Sequence, residues 1–186
     1  MRCPHAKFGT AYQTNEQSGL TLVELLVTVS IASILITSAI PSLLHVYRSY
    51  LLTTQANEML VMVNFSRSVS ITRNTSVRLC RTISEVSTGC VTSSGDWKYW
   101  LVLTNSGEVL RRGVLPEDKG LTQTLNITND TITFGADGLA RSNGDLINGK
   151  RFQIQVDADT AGESRCLTFG AGSRSNIIKT TGNCAS

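Results

Sequence analysis

The residue that most needs a chemical reason is Glu24. It is the only charged side chain in the 25-residue run from Leu20 to Leu44, which otherwise consists largely of aliphatic and small hydroxyl residues. An ionised carboxylate inside a membrane-spanning helix costs roughly 2.5–3.5 kcal/mol near the bilayer centre, so it is retained where something uses it. An amine that met it in lipid would neutralise it, removing the cost of leaving either charge unmatched. A glutamate that snorkels to the interface explains the charge with no partner at all. It does not explain why Gly19 stands just before the run, five residues ahead of Glu24.

The other chemistry-bearing residues argue against catalysis. The chain has two histidines, His5 near the start and His45 at the end of the apolar run. That removes most Ser/His/Asp and Cys/His constellations, and there is no phosphate-cradling glycine loop and no HExxH. The carboxylate pairs Glu117/Asp118 and Asp157/Asp159 fall in expected turns, where they are solvated. Of the five cysteines, the four beyond residue 19 lack CxxC-like spacing and neighbouring histidines, so no metal is expected, and no cofactor. Cys3 lies near the N-terminus, while Cys80, Cys90, Cys166 and Cys184 permit three pairings. Closing the short loops 80–90 and 166–184 is the simplest choice; free buried thiols are the alternative. Disulfides imply an oxidising compartment outside the cytosol. The net charge of +3 is too small to mark a nucleic-acid binder without a local cluster.

Glu24 has to be carried on a helix. At ~1.5 Å per residue the run 20–44 spans roughly 37 Å, enough to cross a ~30 Å hydrocarbon core with some tilt. Residues 1–19 are polar and carry Arg2, His5 and Lys7, and the apolar segment follows them. A secretory signal has the opposite order, an apolar core ending in small residues at the cut. An uncleaved signal anchor accounts for the hydropathy but not for the Gly19/Glu24 spacing. The basic leader favours a cytoplasmic N-terminus, with Arg48 as a counterweight. Pro41 removes a backbone donor and predicts a kink or loosening.

Beyond the membrane run the pattern predicts helix from Leu51 to Arg73. Leu52, Ala56, Met59/Leu60 and Val63 form one stripe, and Val61, Phe65 and Val69 a second. A segment apolar on more than one side is expected to pack on a sheet. From Val77 the period changes to two: Val77/Leu79, Trp97/Tyr99/Leu101/Leu103 and Phe152/Ile154/Val156. Asn105-Ser106-Gly107 signals a hairpin between strands at Tyr99–Thr104 and Glu108–Val114. Further strands are expected at Leu121–Ile127, Thr131–Phe134, Arg165–Phe169 and Asn176–Lys179, with turns at 135–138 and 161–163. The fold class is α+β: one long helix followed by an antiparallel β domain. The expected divisions are 1–19, 20–44, 45–75 and 76–186.

Gly19-Leu20-Thr21-Leu22-Val23-Glu24-Leu25-Leu26 resembles the class III signal of type IV pilins and type II secretion pseudopilins. That pattern is glycine, usually phenylalanine, threonine, two aliphatics and glutamate; Leu20 is the departure. Pro41 falls where these proteins carry a helix-kinking proline. The stretch Phe65–Asn74 leading into Val77-Arg78-Leu79-Cys80 resembles the FimT/FimU/GspH group of minor pilins. So do Thr131–Phe134 with Gly135 and Gly138, and Arg165–Phe169 with Gly172 and Arg174. The resemblance implies a two-sheet pilin-like head and a non-enzymatic structural role. Its implied partners are other pilins or pseudopilins, a prepilin peptidase and an inner-membrane assembly platform. The implied location is the bacterial inner membrane, with the head in the periplasm, and then the filament.

The same resemblance assigns roles to residues. Gly19 precedes the scissile bond, and Leu20 supplies the new amine and is N-methylated. Glu24 attracts the N-terminus of a neighbouring subunit and sets register. Gly19 as a mere linker is the bland alternative. Seven hydroxyl residues between Leu20 and Leu44 suit close helix packing in a filament core, or are simply tolerated there. FimT-like proteins that serve DNA uptake carry Gly-Arg-x-Arg near the C-terminus. Here Gly172-Ser173-Arg174-Ser175 keeps one arginine, shifted by one. Arg174, supplemented by Lys179, Arg165 and Arg141, would give weak, salt-sensitive DNA binding; a solvated basic surface is the alternative. Within the same superfamily a GspH-like pseudopilin of protein secretion remains open.

Overall fold

The computed structural model describes residues 19–115, 120–156 and 162–184. The expected leader, including Cys3, lies outside these residues except for Gly19, as do Glu117, Asp118, Asp157 and Asp159. By its internal contacts the chain forms two units, Met1–Leu43 and Leu44–Ser186.

The first unit is the start of helix α1, Leu22–Thr72. Its side chains are exposed and overwhelmingly apolar, and α1 is long and apolar enough to cross a membrane by length and composition. Hydroxyl groups in such a segment need partners, and they find them on their own helix. Thr28 and Thr37 donate to the carbonyls of Leu25 and Ile34 at 2.9 Å, and Ser30 and Ser33 to those of Leu26 and Val29 at 2.8 Å. Each thereby keeps its hydroxyl hydrogen-bonded where lipid offers nothing. The helix runs through Pro41 without interruption, although proline has no N–H to give the carbonyl of Thr37.

The second unit joins the rest of α1 to two antiparallel sheets. The first has the order β3-β2-β1-β5-β6-β7, from β1 (Val77–Thr82), β2 (Tyr99–Thr104), β3 (Val109–Val114), β5 (Thr131–Phe134), β6 (Ala140–Ser142) and β7 (Asp145–Leu146). The second has the order β10-β9-β8-β4, from β4 (Leu121–Leu125), β8 (Lys150–Val156), β9 (Glu163–Phe169) and β10 (Ser175–Thr181). The Leu52, Ala56, Met59 and Val63 stripe of α1 is buried against both sheets, in one core with Trp97, Trp100, Phe134, Phe152 and Phe169. The stripe continues through Ser66 and Ser70, which are fully buried. Their hydroxyls bond the carbonyls of Met62 and Arg67 at 2.8 Å, so two polar groups are buried without loss.

Two expectations change. Val61 of the second stripe is exposed, because only one broad face of α1 is covered, while Phe65 and Val69 are partly buried. The clean alternation expected at Trp97–Leu103 is replaced by a β2 buried from Trp100 to Thr104. The outer side of that strand is covered too. Cys80, Leu101 and Leu103 form a second small cluster with Cys90 and Val109. The Cys80–Cys90 disulfide closes the overlying loop, and Cys166–Cys184 ties the C-terminal tail to β9.

Candidate assembly site and the charged head surface

The helix begins two residues later than the apolar run. Thr21 is its cap: the backbone N–H of Glu24 donates to Thr21 Oγ1 at 3.2 Å, and that of Leu25 to the Thr21 carbonyl at 3.1 Å. Threonine three residues before a glutamate is the forward half of a capping box, a signal legible in the sequence. The result places Glu24 in the first helical turn, where the free N–H groups and the helix dipole favour a negative charge. Among the described residues no basic side chain lies within salt-bridge range of Glu24. Gly19 and Leu20 precede the helix outside regular secondary structure and are exposed, with open space where a side chain on Gly19 would sit.

On the head, three of the four cations expected to meet DNA face carboxylates instead. Arg141 on β6 makes a two-pronged pair with Asp137 of the 135–138 turn, at 2.8 and 2.6 Å. Side-chain hydrogen bonding from Arg141 holds the Asp137 carboxyl well below the usual carboxylate range. Arg165 is 6% exposed and points inward from β9, on the face shared by Leu167 and Phe169. Its guanidinium lies 2.6 Å from Glu163 Oε1 and donates to Ser49 Oγ and Thr53 Oγ1, both at 3.1 Å. Lys179 on β10 reaches the same Glu163 oxygen at 2.5 Å while staying largely exposed. Burial pushes the Glu163 carboxyl up, but hydrogen bonds from Lys179 and Arg165 outweigh it and bring it down to about 2. The cluster is a clasp between α1 and the second sheet.

Arg174 has different surroundings. It follows the 3-10 turn Ala171–Ser173, is exposed, and lines an open groove of about 970 Å³ together with Arg67 of α1 and Arg151 of β8. Among the described residues no acidic side chain lines that groove. Sequence reading missed Arg67 and Arg151 because they lie 107 and 23 residues away and only the fold brings them to Arg174. The described residues hold no group of three His, Cys, Asp or Glu side chains able to bind a metal.

Comparison with known proteins agrees with this architecture. Residues 55–173 match the family described as type II transport protein GspH, and residues 14–40 match the prokaryotic N-terminal methylation motif. Crystal structures of the Pseudomonas aeruginosa type IV minor pilin FimU in two space groups are similar in fold at 21% sequence identity. One covers 68% of this chain and 87% of its own with a TM-score of 0.50; the other covers 68% and 92% with 0.49. No curated protein matches significantly.

Proposed function

The chain belongs to the GspH family of type IV pilin-like proteins, and on that premise we propose that it is a minor pilin, a non-enzymatic subunit that enters a type IV pilus-like filament near its tip and helps initiate assembly. The observation that carries this reading is the Thr21-capped helix start, which fixes Glu24 in the first turn of an otherwise uncharged run. Hydrolysis of the Gly19–Leu20 peptide bond by a prepilin peptidase would leave an α-amine on Leu20. N-methylation keeps that amine basic, so it still carries the positive charge that a neighbour's Glu24 lacks. The Leu20 ammonium of one subunit and the Glu24 carboxylate of its neighbour, meeting in lipid, neutralise one another, and the pairing sets the register of adjacent helices. The inner-membrane platform would receive the subunit with its head on the periplasmic side.

A second reading is favoured by the family match itself, whose description is type II transport. In that reading the chain is a minor pseudopilin of a protein-secretion filament. Deletion of the gene, followed by parallel assays of twitching, transformation and protein secretion, separates the two. Loss of twitching or transformation with normal secretion supports the pilus reading; the reverse supports the pseudopilin. DNA contact through Arg174, Lys179, Arg165 and Arg141 is the weaker component, since three of these already face carboxylates.

A further inference from the structure

On the head Arg73, Arg81, Arg141, Arg165 and Lys179 each pair with a carboxylate. Among the described residues Arg67, Arg151 and Arg174, the three arginines that line the groove, have no such partner. Arg67 donates from Nη2 to the Ser173 carbonyl, and its Nε is buried with no hydrogen-bond partner. The groove lies across β8, β9 and β10, where Arg151, Thr168 and Asn176 form one cross-strand row. The Cys166–Cys184 bridge and Ile178, which is 47% exposed, also line it.

We infer that this groove receives an extended, acidic segment of a neighbouring filament subunit, which lies across the sheet and sets its carboxylates against Arg67, Arg151 and Arg174. The inference rests on the subunit reading above. Guanidinium groups bind carboxylates in a two-pronged geometry stronger than neutral hydrogen bonds. A duplex nucleic acid fits less well: a concave groove of this volume is the size of a small-ligand or short-peptide pocket. Single strands would want exposed aromatic faces on which to stack. Among the described residues the one aromatic lining the groove, Phe169, is 1% exposed.

The test measures fluorescence anisotropy of three labelled probes against the full chain in detergent micelles. The probes are a short peptide alternating glutamate with valine, the same peptide with lysine for glutamate, and a short DNA duplex. The glutamate peptide binds in a salt-sensitive manner, and Arg151→Gln with Arg174→Gln weakens it at least about tenfold, a loss of ~1.4 kcal/mol. The double variant Arg151→Glu, Arg174→Glu binds the lysine peptide, which the parent rejects. Arg174→Gln alone, at an exposed position, weakens the glutamate peptide even if the double variants fold poorly. No binding of the glutamate peptide, or equal binding by parent and Arg174→Gln, overturns the inference. So does groove-dependent binding of the duplex in preference to the peptide. Binding is read on the isolated chain, so a negative result leaves the subunit reading to be decided by filament incorporation.

Discussion

The backbone N–H of Glu24 donates to the hydroxyl of Thr21 at 3.2 Å. One threonine thus both starts the helix and fixes where the only charge of the apolar run sits within it. Thr21→Val keeps the side-chain shape and removes the acceptor. The expected loss is about 1 kcal/mol of local helix stability. Hydrogen exchange of the chain in micelles would show faster exchange at the Glu24 amide, with amides beyond the first turn unchanged.

Glu163 makes the head sensitive to acid. Its ordinary value is 4.5 and the clasp brings it to about 2. The folded form therefore holds its proton less tightly than the unfolded form. The resulting stability is fully present above about pH 4.5 and is lost as the pH falls through about 2. Because Lys179 is well exposed, screening reduces the contribution to on the order of 1 kcal/mol. Chemical denaturation at a series of pH values checks this: Glu163→Gln lowers stability at neutral pH and flattens the acid limb of the curve.

Gly113 on edge strand β3 lies against the indole of Trp100. A Cβ on Gly113 would fall 2.2 Å from Trp100 Cε2, and Trp100 is 1% exposed with no room to retreat. Gly113→Ala is expected to destabilise the head by roughly 1–3 kcal/mol or more through overpacking. Thermal unfolding followed by near-UV circular dichroism reports both the lower midpoint and the displaced tryptophan.

The Cys166–Cys184 bridge closes a loop with a sequence separation of 18. Cross-links of that length stabilise by about 3 kcal/mol in the chain-entropy account. Cys184→Ser is expected to lower the unfolding midpoint and to speed exchange of the Cys184 amide, which bonds Gln153 Oε1 at 3.0 Å. It should leave the cluster beneath the Cys80–Cys90 loop intact.

Much of the fold was legible because the burial follows local period. β1, β2 and β5 lie where alternation or turn signals set them, and the 135–138 turn closes with the Gly138 N–H on the Gly135 carbonyl at 2.8 Å. The β6–β7 hairpin was also legible and was missed: Asn143-Gly144 has positive φ at both residues, 50° and 93°, as a tight hairpin turn requires. The inward aim of Arg165 was available too, since it shares the period-two face of Leu167 and Phe169. What it would bond was not, because Ser49 and Thr53 lie more than a hundred residues away. The same limit hid the groove. The burial of both faces of β2 depends on a covering loop, and no pattern within the strand reports one.

The proposed role of Glu24 is to draw the N-terminus of a neighbour and so carry the chain into a filament. The most direct measurement is the amount of processed chain in sheared filaments, parent against Glu24→Ala, with the N-terminus read by mass spectrometry. Both are expected to be cut after Gly19 and methylated on Leu20, with only the parent entering the filaments while the variant stays in the membrane. Glu24→Ala incorporated at the parental level would contradict it.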